Sequence, residues 1–544
     1  MKTKLMAAVA VLAIVTATGA ARAEDATTVQ TLKAQAAALK KQNDALEKRL
    51  NKLEQAQTVK VAAPASTDFM ASVTKGPLEV ITGDGPLCWN GICAFGTVDV
   101  GAQWAAHGLP QSGQLYVGES LISKYYNRAY FGVNPNGLSQ STVGLKGEKQ
   151  IFGDVSGVFM ASTGFNPNSG QLASATGSLA AQNGLNQKAN YGQMANLGDG
   201  SRGGQAFNDQ LYAGLASQSL GQLTVGRHRS FGIDMVGAYD PAGGSYAFSV
   251  IGYSGVMSGG GDTESARMDN SIKYKVDLGG VHVGALYKFA DGAGGCLGGA
   301  GWTAATCAPV GARNDAYEFN AGFSYAGFDV DALGGHINQA VSAAALTSGQ
   351  AAANAFNGVS ITGANLVNPA NSLAGTITDN TVAAIAAKYS WNQFKLFAGY
   401  EHILYQNPTN AMGVGANAQG GYILSAVTNG LGAGQNDKSL NVFWTGVKYA
   451  YDPKLDFTLS YYHYLQNQYA SVANALTCAN AVQSTRNGAC NGTLDAVSFY
   501  ADYHFNKRFD AYAGMMVSNV AGGLSSGYLN STNFAPTAGV RYQF

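Results

Sequence analysis

Apolar and polar side chains alternate with period two from about residue 94 to the last residue. No other feature limits this chain so strongly. Successive side chains of a strand point to opposite faces, so each such run is one strand with two unlike faces. Val98, Val100, Ala102 and Trp104 alternate with Thr97, Asp99, Gly101 and Gln103. Tyr317, Phe319, Ala321, Phe323 and Tyr325 alternate with Glu318, Asn320, Gly322 and Ser324. Val497, Phe499, Ala501, Tyr503 and Phe505 alternate with Ser498, Asp502 and His504, and Pro536, Ala538, Val540, Tyr542 and Phe544 with Thr537, Gly539, Arg541 and Gln543. The polar face carries full charges and many glycines, unlike the polar face of a soluble sandwich. The pattern predicts lipid against the apolar face and a water-filled lumen against the polar one. Closure follows, because an open edge in lipid would leave backbone donors and acceptors unpaired. Beyond the N-terminal stretch, no apolar run approaches the roughly 18 residues of a membrane-spanning helix.

Connections alternate between short polar turns, such as Ala326-Gly327 and Tyr451-Asp452-Pro453-Lys454, and long segments near 166–206, 231–265, 290–314, 337–380, 404–437, 465–493 and 520–533. Short turns on one side and long loops on the other mark an outer-membrane barrel. The predicted strands lie near 94–105, 141–150, 154–165, 207–216, 222–229, 267–276, 281–289, 315–325, 328–335, 381–389, 393–402, 439–450, 455–464, 494–505, 509–519 and 534–544. That makes an all-β, 16-stranded antiparallel transmembrane barrel. A barrel of this size leaves an aqueous channel. Trp391, Tyr389, Tyr449, Tyr461, Tyr503, Phe505 and Phe544 fall near strand ends, where aromatic girdles meet the membrane interface.

The first part of the chain is different in kind. Residues 1–23 read as a signal peptide, with Lys2 and Lys4, an apolar stretch, and Ala21-Arg22-Ala23 as a small-x-small cleavage site. Within 24–58, Leu32, Leu39, Asn43, Leu46, Leu50 and Leu53 mark a heptad seam, with Asn43 as the polar residue that fixes register. This predicts a periplasmic coiled-coil helix; no other segment shows a helical period. Residues 59–93 read as a linker with a cysteine-containing end, and 94–544 as the barrel domain. The six cysteines form local pairs: Cys88 and Cys93, Cys296 and Cys307, Cys478 and Cys490. An even count in an exported chain favours disulfides, and proximity favours these partners; a metal site is the weaker reading.

With 33 basic against 33 acidic residues, the chain has no net charge to offer nucleic acid. Only 12 % of residues are charged, about half the usual quarter, as expected when half of each strand faces lipid. The seven histidines, His107, His228, His282, His336, His402, His463 and His504, are scattered with no catalytic spacing, and no metal or cofactor motif is visible. An enzyme is therefore not expected.

Several short segments, in order, carry a family resemblance: Gly144-Leu145-Lys146-Gly147-Glu148, Leu211-Tyr212-Ala213-Gly214-Leu215, Val225-Gly226-Arg227, Asn270-Ser271-Ile272-Lys273-Tyr274, and a final strand ending in Phe544. Over 94–544 the chain resembles the general diffusion porins of Gram-negative outer membranes. The resemblance implies a homotrimer in outer-membrane lipid that passes small hydrophilic solutes and ions, with Phe544 as the barrel-insertion signal. It also implies that the third long loop, here about 231–265, folds inward and narrows the channel. Asp234 and Asp240 match that loop's acidic positions by their distance from Arg227. Pro241-Ala242-Gly243-Gly244 lacks an acidic residue that family members often have, and Thr142 and Asp209 stand where many place arginines. Lys146, Arg202, Arg227, Arg229 and Arg267 are the basic candidates for the pore wall. A substrate-selective channel is an alternative, and so is a porin whose coiled coil also contacts peptidoglycan.

Overall fold

The computed structural model describes residues 87–107, 129–168, 170, 172, 206–251, 267–289, 315–345, 355–356, 359–360, 373–406, 417–419, 422–425, 437–469, 491–523 and 531–544. The expected signal segment, the heptad helix with Leu32, Leu39, Asn43, Leu46, Leu50 and Leu53, most of the linker, Arg202, Cys296, Cys307, Cys478 and Cys490 lie outside the described residues.

Sixteen strands close into an antiparallel barrel. They are β1 Ile92–Ala105, β2 Thr142–Phe152, β3 Val155–Gly164, β4 Gln210–Ser217, β5 Gly221–Arg229, β6 Arg267–Asp277, β7 Val281–Lys288, β8 Ala316–Tyr325, β9 Phe328–Ala345, β10 Leu373–Trp391, β11 Phe394–Gln406, β12 Lys438–Asp452, β13 Leu455–Gln466, β14 Gly492–His504, β15 Phe509–Gly522 and β16 Thr532–Gln543. Each pairs with the next, and β1 closes the ring by pairing Thr97–Gln103 with Gln543–Thr537 of β16. Phe544 adds a last rung, its N–H donating to the Gly96 carbonyl at 3.0 Å and its carbonyl accepting from Gly96 at 3.1 Å.

The alternation settles which face is which. Phe319 is 60 % exposed while its neighbour Glu318 is fully buried, and Phe499 is 46 % exposed beside the buried Ser498 and Tyr500. The outer wall is thus apolar in the register the sequence predicts, and no described helix is long and apolar enough to cross a membrane. Ala326 and Gly327 link β8 to β9 with φ of 50° and 83°, the mirror-image turn that matches strand twist. An alanine at positive φ there is a local strain the hairpin overrides.

Besides short strands at Ala355–Phe356, Val359–Ser360, Asn417–Gln419 and Tyr422–Ser425 within segments read as loops, three features depart from the predicted layout. A hairpin precedes the barrel proper: Leu87–Trp89 pairs with the start of β1 through Asn90 and Gly91, at φ of 48° and 84°, and Cys88 and Cys93 are disulfide-bonded at directly opposed positions. An extra strand, Tyr130–Pro135, pairs with the upper half of β1 while β2 pairs with the lower half. Residues 136–141 leave the sheet between them. Their amides are not orphaned, because the Asp99 carboxylate accepts from Gly137, Leu138 and Ser139 at 3.2, 2.9 and 2.8 Å. Finally, β9 and β10 are longer than predicted, running to Ala345 and from Leu373, because ladder pairing extends through small residues that read as loop.

The inward face is not uniformly polar, which corrects the simple lumen picture. Leu286, Leu333, Val382, Ile403, Val442 and Leu494 lie on the inward face and are buried. They form a core with Phe231, Met235, Val236, Tyr239, Val250 and Ile251, all from the segment after β5. Each such side chain gains about 1.5–3 kcal/mol from burial, enough to hold a long loop against the wall.

Candidate functional site

The segment after β5 begins with a helix, α1 Phe231–Tyr239, that no helical period announces. It is built by its ends. The Ser230 hydroxyl accepts from the Ile233 N–H at 3.1 Å as N-cap. Glu318 Oε2 on β8 accepts from the Phe231 N–H at 2.6 Å, placing a carboxylate at the positive end of the helix. At the other end, Lys388 of β10 donates to the Ala238 carbonyl at 3.3 Å and lies 4.9 Å from the Tyr239 ring centroid. Trp444 of β12 donates its indole N–H to the Tyr239 carbonyl at 3.0 Å.

The chain then continues along the inner wall. Tyr464 of β13 donates to the Val250 carbonyl at 3.2 Å. Phe248 stacks on Tyr500 of β14 with centroids 4.6 Å apart and meets Tyr512 of β15 edge-on. Ser245 and Ala247 both donate to the Gly137 carbonyl, at 2.7 and 2.9 Å. Residues 231–251 therefore lie inside the barrel, fastened from β8 round to β15 and the 136–141 turn.

The candidate charges separate sharply. Asp234 lies on α1, and its Oδ2 accepts from Lys273 and Lys275 of β6 at 2.8 Å each. Lys273 also donates to the Arg229 carbonyl and sits 4.2 Å from the Phe231 ring centroid. Burial works to raise the Asp234 carboxyl, but the two ammonium groups outweigh it and hold it down at about 2. Beneath α1 opens a cavity of about 540 Å³ lined by Asp234, Lys275, His282, Asn320 and Asp331.

Asp240 is placed differently from Asp234. It is 2 % exposed and lies between loop and wall. Its carboxylate accepts from the Tyr462 hydroxyl at 2.6 Å and from the amides of Ala242 and Gly244 at 3.2 and 2.9 Å. Burial pushes this carboxyl up, against those hydrogen bonds. It fastens the loop and presents no open charge to the lumen. Asp209 is buried too, paired with Arg229 at 2.7 Å and Arg267 at 2.8 Å, so these three tie the ends of β4, β5 and β6 together. Arg227 pairs with Asp269 and donates to the Asn208 carbonyl. Lys146 stands apart on β2, 5.8 Å from the Phe95 ring centroid. Among the described candidates for the constriction, only Asp234 lines this cavity. Lys273, Lys275 and Glu318, which complete its surroundings, carry no signal in the sequence beyond their inward position on β6 and β8.

A closed barrel with a lipid-facing exterior and a loop folded into its lumen defines a channel-forming outer-membrane protein. The family described as Gram-negative porin matches residues 95–522, and the chain belongs to it. It is an outer-membrane channel for passive diffusion. Among solved structures, an anion-selective porin from Comamonas acidovorans shares the fold, with a TM-score of 0.50, 13 % identity, and coverage of 83 % of this chain and 99 % of that one. OmpT of Vibrio cholerae gives 0.47 at 12 % identity, covering 85 % and 100 %. A Salmonella typhi OmpF complex with daunomycin gives 0.42 at 16 % identity, covering 83 % and 97 %. No curated protein matches the sequence.

Proposed function

We propose that this chain is a homotrimeric general diffusion porin whose narrowest passage is bordered by residues 231–251, with Asp234, Lys273 and Lys275 as its leading charges. The observation that carries this reading is the burial of Met235, Val236, Tyr239, Phe248, Val250 and Ile251 at 2 % exposure or less inside the barrel. A loop so held reduces the open cross-section permanently. The charges that flank it are of both signs: Asp234 faces Lys273 and Lys275, Asp329 faces Lys388, and Asp331 faces His282. A mixed field of this kind biases ions weakly and excludes few small solutes. Folded protein in a planar bilayer is expected to insert in conductance steps that close in threes, with weak ion selectivity. Folded protein that conducts nothing would sink the porin reading; single-level closure would sink the trimer alone.

Phe544 supports a second assignment, as the signal for barrel insertion. Deleting it also removes the two hydrogen bonds to Gly96. Those bonds are worth only about 1–3 kcal/mol. Assembled barrel in outer-membrane fractions is expected to fall far more than refolding yield in detergent. Equal losses in both would assign Phe544 to stability only.

A further inference from the structure

We propose that Asp502, His504 and Asp510 form a binding site for a divalent transition-metal cation on the lumen wall. Asp502 and His504 are two apart on β14 and share its inward face. Asp510 of β15 lies directly opposite His504 in the ladder. The outward residue between them, Tyr503, is 39 % exposed to lipid. One ligand atom from each of the three lies within 4.8 Å of the others.

The surroundings are those of a metal-ligating histidine. His504 Nε2 is 3.1 Å from Asp456 of β13, and its Nδ1 is 2.7 Å from Asp510. A carboxylate on the far ring nitrogen fixes the ring's orientation and tautomer for a metal at the near one. Arg541 of β16 holds the other Asp510 oxygen at 2.7 and 2.9 Å, and Lys448 of β12 holds Asp456 at 2.7 Å. Three carboxylates face two permanent cations, so the group is short of positive charge when the imidazole is neutral. A proton on His504 would balance that charge. It would leave one atom unexplained, however: Asp502 is 4 % exposed, and although its Oδ2 lies 3.5 Å from Arg541, its Oδ1 has no hydrogen-bond partner. A cation among the three side chains supplies both the charge and the partner. One imidazole nitrogen with carboxylate oxygens suits zinc, manganese, iron or cobalt better than magnesium, which prefers oxygen alone. The sequence spacing concealed the site because its ligands straddle a turn and its outer partners come from β12, β13 and β16.

The test is equilibrium dialysis of untagged, folded full-length protein against zinc, with metal analysis and with folding checked by heat-modifiable mobility. Wild type is expected to hold one more zinc ion per chain than His504→Gln, whatever other histidines bind. Asp456→Asn is expected to weaken that ion about tenfold, as loss of an outer carboxylate does. Asp502→Asn should lose it, and Asp154→Asn, on a distant turn, should keep it. Magnesium in equal amount should not displace it. Equal zinc in wild type and His504→Gln would overturn the proposal, as would ready displacement by magnesium. If His504→Gln does not fold, unchanged binding in Asp502→Asn overturns it equally.

Discussion

Replacing Trp444 with alanine and Tyr462 with phenylalanine together is expected to turn a steady channel into a fluctuating one. Both side chains project from the wall onto the end of α1, and neither is exposed beyond 2 %. Trp444 holds the Tyr239 carbonyl, and its ring lies against Gly399, which leaves no room there for a Cβ. The alanine variant therefore loses a hydrogen bond and opens a cavity, at about 3–5 kcal/mol. Removing the Tyr462 hydroxyl leaves the buried Asp240 carboxylate short of a donor, at about 1–3 kcal/mol. Together this shifts release of the loop end by about three to six orders of magnitude, at 1.4 kcal/mol per tenfold. The barrel ladders are untouched, so the variant should still fold and insert. Single-channel recordings should show excursions from the wild-type level to a larger one. Tyr461→Phe, one residue away but on the outer wall, should leave the trace steady. A quiet double variant would mean that the loop is held by its other contacts.

The barrel was legible because lipid enforces a rule that local sequence must obey. Every second residue of each strand faces hydrocarbon, and that constraint is visible without knowing any partner strand. The loop helix obeys no such rule. Its fasteners, Glu318, Lys388 and Trp444, lie 87, 150 and 205 residues from the groups they hold. No periodicity within nine residues can report contacts so distant. For the same reason distance along the chain placed Asp240 in the right loop but could not tell which way its carboxylate points. The upper lumen wall shows the limit of the two-face reading. Leu286 and Val442 are apolar at inward positions and break the alternation, because they meet a folded-back loop where the pattern assumed water. One feature was readable and missed: Asn90-Gly91 is the commonest type of two-residue hairpin turn, and it places Cys88 and Cys93 in the barrel sheet.

Asp234→Asn is expected to move the channel toward anions, and Asp240→Asn to leave its selectivity where it was. At Asp234 one negative charge stands between two ammonium groups, so neutralising it leaves both unbalanced beside the cavity. A unit charge about 8 Å from a permeating ion in water acts with roughly 0.5 kcal/mol, of opposite sign for cation and anion. Salt screening over a similar length reduces this, leaving a change of about threefold in the cation-to-anion permeability ratio. Reversal potentials in a salt gradient measure that ratio directly. The effect should persist in acid. With its carboxyl held at about 2, below the ordinary 3.8, Asp234 keeps its charge well below neutral pH. The stabilisation this ion pair gives is fully present above the ordinary value and is lost only as pH falls toward 2. Wild type and Asp234→Asn should therefore remain distinct at about pH 4.5 and converge only in stronger acid. Convergence already near pH 4 would mean that Lys273 and Lys275 do not grip Asp234 in the membrane as they do here. A shift in Asp240→Asn equal to that in Asp234→Asn would place the buried carboxylate at the edge of the passage after all.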